Sequence, residues 1–146
     1  MSLETQVMDS MKEAMKSKDA DTLGALRGIK AAFLTLNTSG KEVTEDVRMK
    51  ELQRMVKQRQ ESAAIFNENG RKELADKELF EISVIEKFLP KQMSEAEIEA
   101  EVKTAITETG ASSIREMGKV IGLVSKKLIG RADGKMISEI TKKILA

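Results

Sequence analysis

The sequence predicts an all-α protein in two parts, an N-terminal helical domain of about four helices over residues 1–90 and a smaller C-terminal three-helix domain over residues 91–146. Three observations predict it. Aromatic residues make up 3% of the chain and charged residues 34%, with few β-branched runs, a composition that suits amphipathic helices better than sheet. Apolar residues recur at helical spacing along nearly all of its length. Pro90 is the only proline, and it falls between two such patterns. Its ring biases Leu89 away from the α region and removes a donor, so the pattern running up to Leu89 stops there. Ser94 and Glu97 then restart a helix at Glu95 as a capping box.

Taken in order, Leu3, Val7, Met11, Ala14 and Met15 mark a first helix. Asp19 or Asp21 caps a second, whose stripe is Leu23, Leu26, Ile29, Phe33 and Leu36 and which ends before the loop composition Asn37-Thr38-Ser39-Gly40. Thr44-Glu45-Asp46 opens a third, the longest, carried by Met49, Leu52, Val56, Ala63 and Phe66 to Asn69-Gly70. A fourth runs from about Arg71 to Leu89 on Ala75, Leu79, Ile82, Ile85 and Leu89, and Asn69-Gly70 either separates it from the third or kinks one long helix. Beyond Pro90, Ile98, Val102, Ala105 and Ile106 lead to Gly110. Ser113 with Glu116 reads as a second capping box, opening a helix that turns Ile114, Met117, Val120, Ile121, Val124 and Leu128 inward and ends near Gly130. Asp133 caps the last helix, on Ile137, Ile140 and Ile144.

The chain lacks His, Cys, Tyr and Trp, which removes the commonest general base and the best nucleophile and leaves no thiolate for a metal or a disulfide. Ser17-Lys18 and Ser125-Lys126 do not make a catalytic pair, because neighbours on a helix point about 100° apart. Glu42, Glu45 and Asp46 lack the spacing of a calcium loop and sit where acids complement a helix N-terminus. No catalytic residue, metal site or cofactor is therefore expected. No run reaches membrane-spanning length and the first residues carry no apolar signal-peptide core, so the expected location is cytoplasmic, with no membrane partner.

Charge is balanced overall but not along the chain. Residues 1–90 hold fifteen basic and sixteen acidic side chains, residues 91–110 two and five, and residues 111–146 eight and three. A basic tail of this kind can meet phosphates. On the helix from Ile114, Arg115, Lys119, Gly122 and Lys126 share one side, and Gly118, Gly122 and Ser125 keep it low enough for a backbone to approach. The other reading of the same residues is a solvated lysine-rich surface whose glycines admit a neighbouring helix. With four Phe as the only aromatics, base-stacking platforms are scarce, and RNA binding would work through shape and phosphates.

The run MGKVIGLVSKKLIGRADGKMISEITKKIL, Met117 to Leu145, resembles the hallmark end of the GatB/YqeY family. Leu26-Arg27-Gly28-Ile29-Lys30-Ala31-Ala32, Lys57-Gln58-Arg59-Gln60-Glu61-Ser62 and Leu89-Pro90-Lys91-Gln92-Met93-Ser94 are similar to its stand-alone members in order and spacing, so the resemblance covers essentially the whole chain. It implies a tail similar to that of the GatB component of the tRNA-dependent amidotransferase, where the tail meets tRNA and other domains do the chemistry. The amidotransferase pattern G-K-A-x-P reads here Gly130-Arg131-Ala132-Asp133-Gly134, which places the chain with the stand-alone branch. The expected function is a non-catalytic tRNA-binding accessory module of translation. Lys119, Lys126, Lys127, Arg131 and Lys135 would contact the tRNA backbone, Gly118 and Gly122 would allow close approach, Gly130 would end the helix, and the Asp133-capped helix would fix Arg131. The alternatives are a protein-interaction module whose Met8, Met11, Met15, Met49 and Met55 dock an aminoacyl-tRNA synthetase or an amidotransferase, and a component of carbon-nitrogen ligase activity, with glutamine as amido donor, inside a complex.

Overall fold

The computed structural model describes residues 1–146 as seven α-helices and one 3₁₀ turn, with no strand. Packing divides the chain into two compact units, Met1–Pro90 and Lys91–Ala146.

In the first unit, α1 (Leu3–Lys16) buries Leu3, Val7, Met11 and Ala14, and its Ser2 cap accepts the Thr5 N–H at 3.2 Å. Two reversed hydrogen bonds close its far end, Lys18 N–H to Met15 O at 3.3 Å and Asp19 N–H to Ala14 O at 2.9 Å, which puts Lys18 at φ 58°. A side chain in that left-handed region costs about 1–2 kcal/mol, whereas glycine loses about 0.5–1 kcal/mol in unfolded-chain entropy. Lys18→Gly is therefore expected to raise stability by about 0.5–1 kcal/mol, read as a higher urea midpoint at unchanged slope. A lower midpoint would show that the lysine side chain contributes more than its backbone strain removes.

Of the two candidate caps of α2 (Ala20–Asn37), Asp19 takes the role: its carboxylate accepts the Thr22 N–H at 3.1 Å and the Thr22 hydroxyl at 2.7 Å. Thr44 caps α3 (Glu45–Glu68) through the Val47 N–H. The question at Asn69-Gly70 resolves as two helices. Gly70 adopts φ 71°, its N–H bonds to Asn67 O, and the Arg71 N–H reaches back to Phe66 O at 2.8 Å, which terminates α3 before α4 (Lys72–Glu86) begins. α3 and α4 pack along each other, with Arg59 Nε 2.9 Å from a Glu81 carboxylate oxygen. A Cβ on Gly28 would stand 3.7 Å from the Arg59 guanidinium, ordinary van der Waals contact, so an alanine would fit there.

Leu26, Ile29, Phe33, Leu52, Met55, Val84 and Ile85 form the centre of this unit's core. Leu79, expected in the buried stripe, is 50% exposed. The buried arc of α4 turns through Ile82, Val84 and Ile85 and leaves Leu79 outside it. α4 also ends earlier than its pattern, because the N–H groups of Lys87, Phe88 and Leu89 bond three residues back and tighten the last turn ahead of Pro90. The methionines divide: Met11 and Met55 are buried and Met49 packs on the core, while Met8 and Met15 are exposed. Glu45 accepts the Leu3 N–H at 3.0 Å and pairs with Arg48, which also reaches Glu4, so this acid ties the start of α3 to the start of α1.

In the second unit, α5 (Glu95–Thr109) starts at Ser94, whose hydroxyl accepts the Glu97 N–H at 3.2 Å; the Glu97 carboxylate turns to that hydroxyl, 3.1 Å away, and not to the Ser94 N–H, so only half of the expected capping box forms. The second capping box does not form. The Glu116 N–H bonds instead to the Ser113 backbone carbonyl at 3.0 Å, making Ile114–Glu116 a 3₁₀ turn, and α6 (Met117–Lys127) begins after it. Ile114, expected inward, is consequently 44% exposed, and Arg115 lies outside α6. α7 (Gly134–Leu145) completes the unit. Ile98, Val102, Val120, Val124, Leu128, Ile137 and Ile140 form its core.

Candidate nucleic-acid interface

α6 buries Val120 and Val124 and turns Gly118, Lys119, Gly122, Leu123, Lys126 and Lys127 outward. Lys119 and Lys126, seven residues apart, lie within about 20° of each other around the axis. Gly118 and Gly122, one turn apart, both lie to one side of that line, Gly122 about 40–60° and Gly118 about 80–100° from it. A Cβ built on either would meet nothing within 4 Å. The glycines therefore do not admit a neighbouring helix of this chain, and each costs α6 about 1 kcal/mol relative to alanine with no internal packing to offset it.

The remaining candidates sit in the turn that follows. Gly130 is buried at φ 76°, in the left-handed region that reverses the chain after α6. The Arg131 N–H bonds to Leu128 O at 2.9 Å, and the Arg131 carbonyl accepts the Met93 N–H at 2.8 Å. Gln92 donates its side-chain amide to Gly130 O at 2.7 Å. Arg131 is held by its own backbone and by the segment at Gln92-Met93. Asp133 caps α7 by accepting the Lys135 N–H at 3.2 Å. Lys135 is exposed in the first turn of α7, where the helix dipole adds to its charge.

The five cations are not equivalent. All are exposed, but Lys127 Nζ lies 2.9 Å from a Glu101 carboxylate oxygen on α5. That hydrogen bond and the Glu101 charge raise the Lys127 pKa. A phosphate at Lys127 must displace Glu101, whereas Lys119, Lys126, Arg131 and Lys135 keep their charges free for an external anion. Sequence reasoning missed both the Glu101 pair and the Gln92-Met93 brace. The signal for the first was acid spacing on α5 facing the end of α6. Nothing local in the sequence marks the second.

The sequence matches the YqeY-like protein family over residues 4–145. The chain belongs to the YqeY-like family. Two similar curated proteins, each named "Altered inheritance of mitochondria protein 41, mitochondrial", come from Pyrenophora tritici-repentis and Lachancea thermotolerans. The first is 29% identical over 140 residues, 92% of this YqeY-like chain and 76% of the relative. The second is 30% identical over 107 residues, 70% of this chain and 57% of the relative. Their names overturn the cytoplasmic expectation, since both relatives are mitochondrial proteins by name. Absence of an apolar signal core says nothing against an organelle. No helix here is long and apolar enough to cross a membrane.

Proposed function

We propose that this YqeY-like protein is a non-catalytic tRNA-binding module, made of two independently folding helical domains, that receives the RNA backbone on the outer face of α6 and the turn into α7. One observation carries the reading: two exposed glycines spaced one turn apart, without an internal role, lie beside the free cations Lys119 and Lys126. Glycine on an exposed helix face weakens the helix, and a surface that must come within van der Waals reach of a phosphate backbone gains from it. Arg131 and Lys135 extend the positive charge past the end of α6.

The test separates stability from binding. In the double variant Gly118→Leu, Gly122→Leu, better helix formers enter open space, so stability is expected to rise by about 1.5–2 kcal/mol. The same side chains would hold the RNA backbone away, and affinity for unfractionated tRNA should fall about tenfold or more. A stabilised variant with unchanged tRNA affinity would reject the docking face. A second reading, a site for a synthetase or amidotransferase, draws on Leu123 and Met136, which are 39% and 38% exposed within the same basic unit. Leu123→Ser would weaken a protein partner more than tRNA.

A further inference from the structure

The first unit holds a cavity of about 410 Å³ between α1, the start of α2 and the end of α4. This is within the range of about 300–1,000 Å³ usual for small-molecule sites. Its wall is apolar where Leu26 and Val84 are buried and Phe88 half-buried. Its charged groups stand on different helices: Glu13 on α1, Asp19 at the cap of α2, and Lys87 just past α4. Asp19 is occupied by the Thr22 hydroxyl and N–H, which together with Lys87 hold its carboxyl below the usual carboxylate range. Glu13 and Lys87 differ from it. Each lines the cavity, neither side chain takes a hydrogen bond or ion pair within the chain, and they do not pair with each other.

We infer that this cavity is a site for a small zwitterion, an α-amino acid with an apolar side chain, bound with its ammonium toward Glu13 and its carboxylate toward Lys87. Charges of opposite sign on separate walls of one cavity match a ligand that carries both charged groups on one carbon, its carboxylate competing with the Asp19 carboxyl for Lys87. The Ser10 hydroxyl, also without a partner in the chain, supplies a further hydrogen bond on the Glu13 side. An apolar side chain would cover Leu26, Val84 and Phe88, and its burial adds to the two charge contacts. The site lies wholly within residues 1–90 and is independent of the RNA reading.

The experiment is an amide-resonance titration of the full chain with L-leucine into the millimolar range, with two analogues as controls. Isoamylamine lacks the carboxylate and 4-methylpentanoate lacks the ammonium. Leucine is expected to shift the Ser10, Glu13, Thr22 and Lys87 resonances saturably, and each analogue to bind about tenfold or more weakly, the effect of one lost charged hydrogen bond. Glu13→Gln should abolish the preference for leucine over 4-methylpentanoate, and Lys87→Met the preference over isoamylamine. Both side chains are exposed, so far-UV circular dichroism should remain that of the wild type. No saturable shift with leucine, or equal binding of leucine and either analogue by the wild type, would overturn the proposal.

Discussion

Truncating Ile137 to alanine is expected to unfold α5–α7 under conditions in which α1–α4 stay protected. Ile137 is 1% exposed and packs in one cluster with Ile98, Val102, Val120, Val124 and Leu128. Removing three buried methyl or methylene carbons there costs about 2–5 kcal/mol, through lost transfer energy and a cavity the neighbours only partly fill. A unit of roughly 60 residues buries only about 60% of its unfolded surface and has little stability in reserve, so a loss of this size consumes most of it. Residues 1–90 keep their own core around Leu26, Ile29 and Leu52. Native-state hydrogen exchange should therefore show protection lost from Glu95 onward and retained in α1–α4. Simultaneous loss across all seven helices would show one cooperative domain and refute independent folding. Fragments should be cut between Pro90 and Lys91. A cut after Met93 would remove the Met93 N–H bond to Arg131 and the Gln92 bond to Gly130, both of which brace the turn after α6.

The helices were legible because each carries a strong local signal. The Asp19, Thr44, Ser94 and Asp133 side chains cap their helices, and the stripes through Val7, Ile29, Leu52, Val102 and Ile137 are buried. What failed was decided by competition between alternatives of similar energy. At Ser113 a backbone carbonyl took the N–H that the side chain was expected to take. Leu79 fitted helical spacing yet fell outside an arc set by the helices α4 packs against. The candidate interface was legible as a set of cations, since lysines on the outer side of an amphipathic helix must face solvent. Which of them remain free was not, because Glu101 and Lys127 meet only through the packing of α5 on α6.

Replacing Lys119, Lys126 and Arg131 together by alanine is expected to change tRNA affinity the most. Each phosphate neutralised by a cation releases condensed counterions, and the slope of log K against log salt reports how many such contacts exist, at about 0.7 to 0.9 per contact. Losing three free cations should reduce that slope by about 2 to 3 and lower affinity at low salt by orders of magnitude, with little dependence on which tRNA is used. Since four Phe are the only aromatics, stacking cannot replace these contacts. Lys127→Ala serves as an internal comparison. Its ammonium is held by Glu101, so its loss should change the slope less than loss of Lys126. Glu101→Gln should act in the opposite direction, freeing Lys127, removing a negative charge and tightening binding. All three substituted residues are exposed, and wild-type circular dichroism is the control for folding. Equal affinity and equal salt slope for the wild type and the triple variant would show the basic tail to be solvated surface, and the protein-docking reading through Leu123 and Met136 would replace the one proposed.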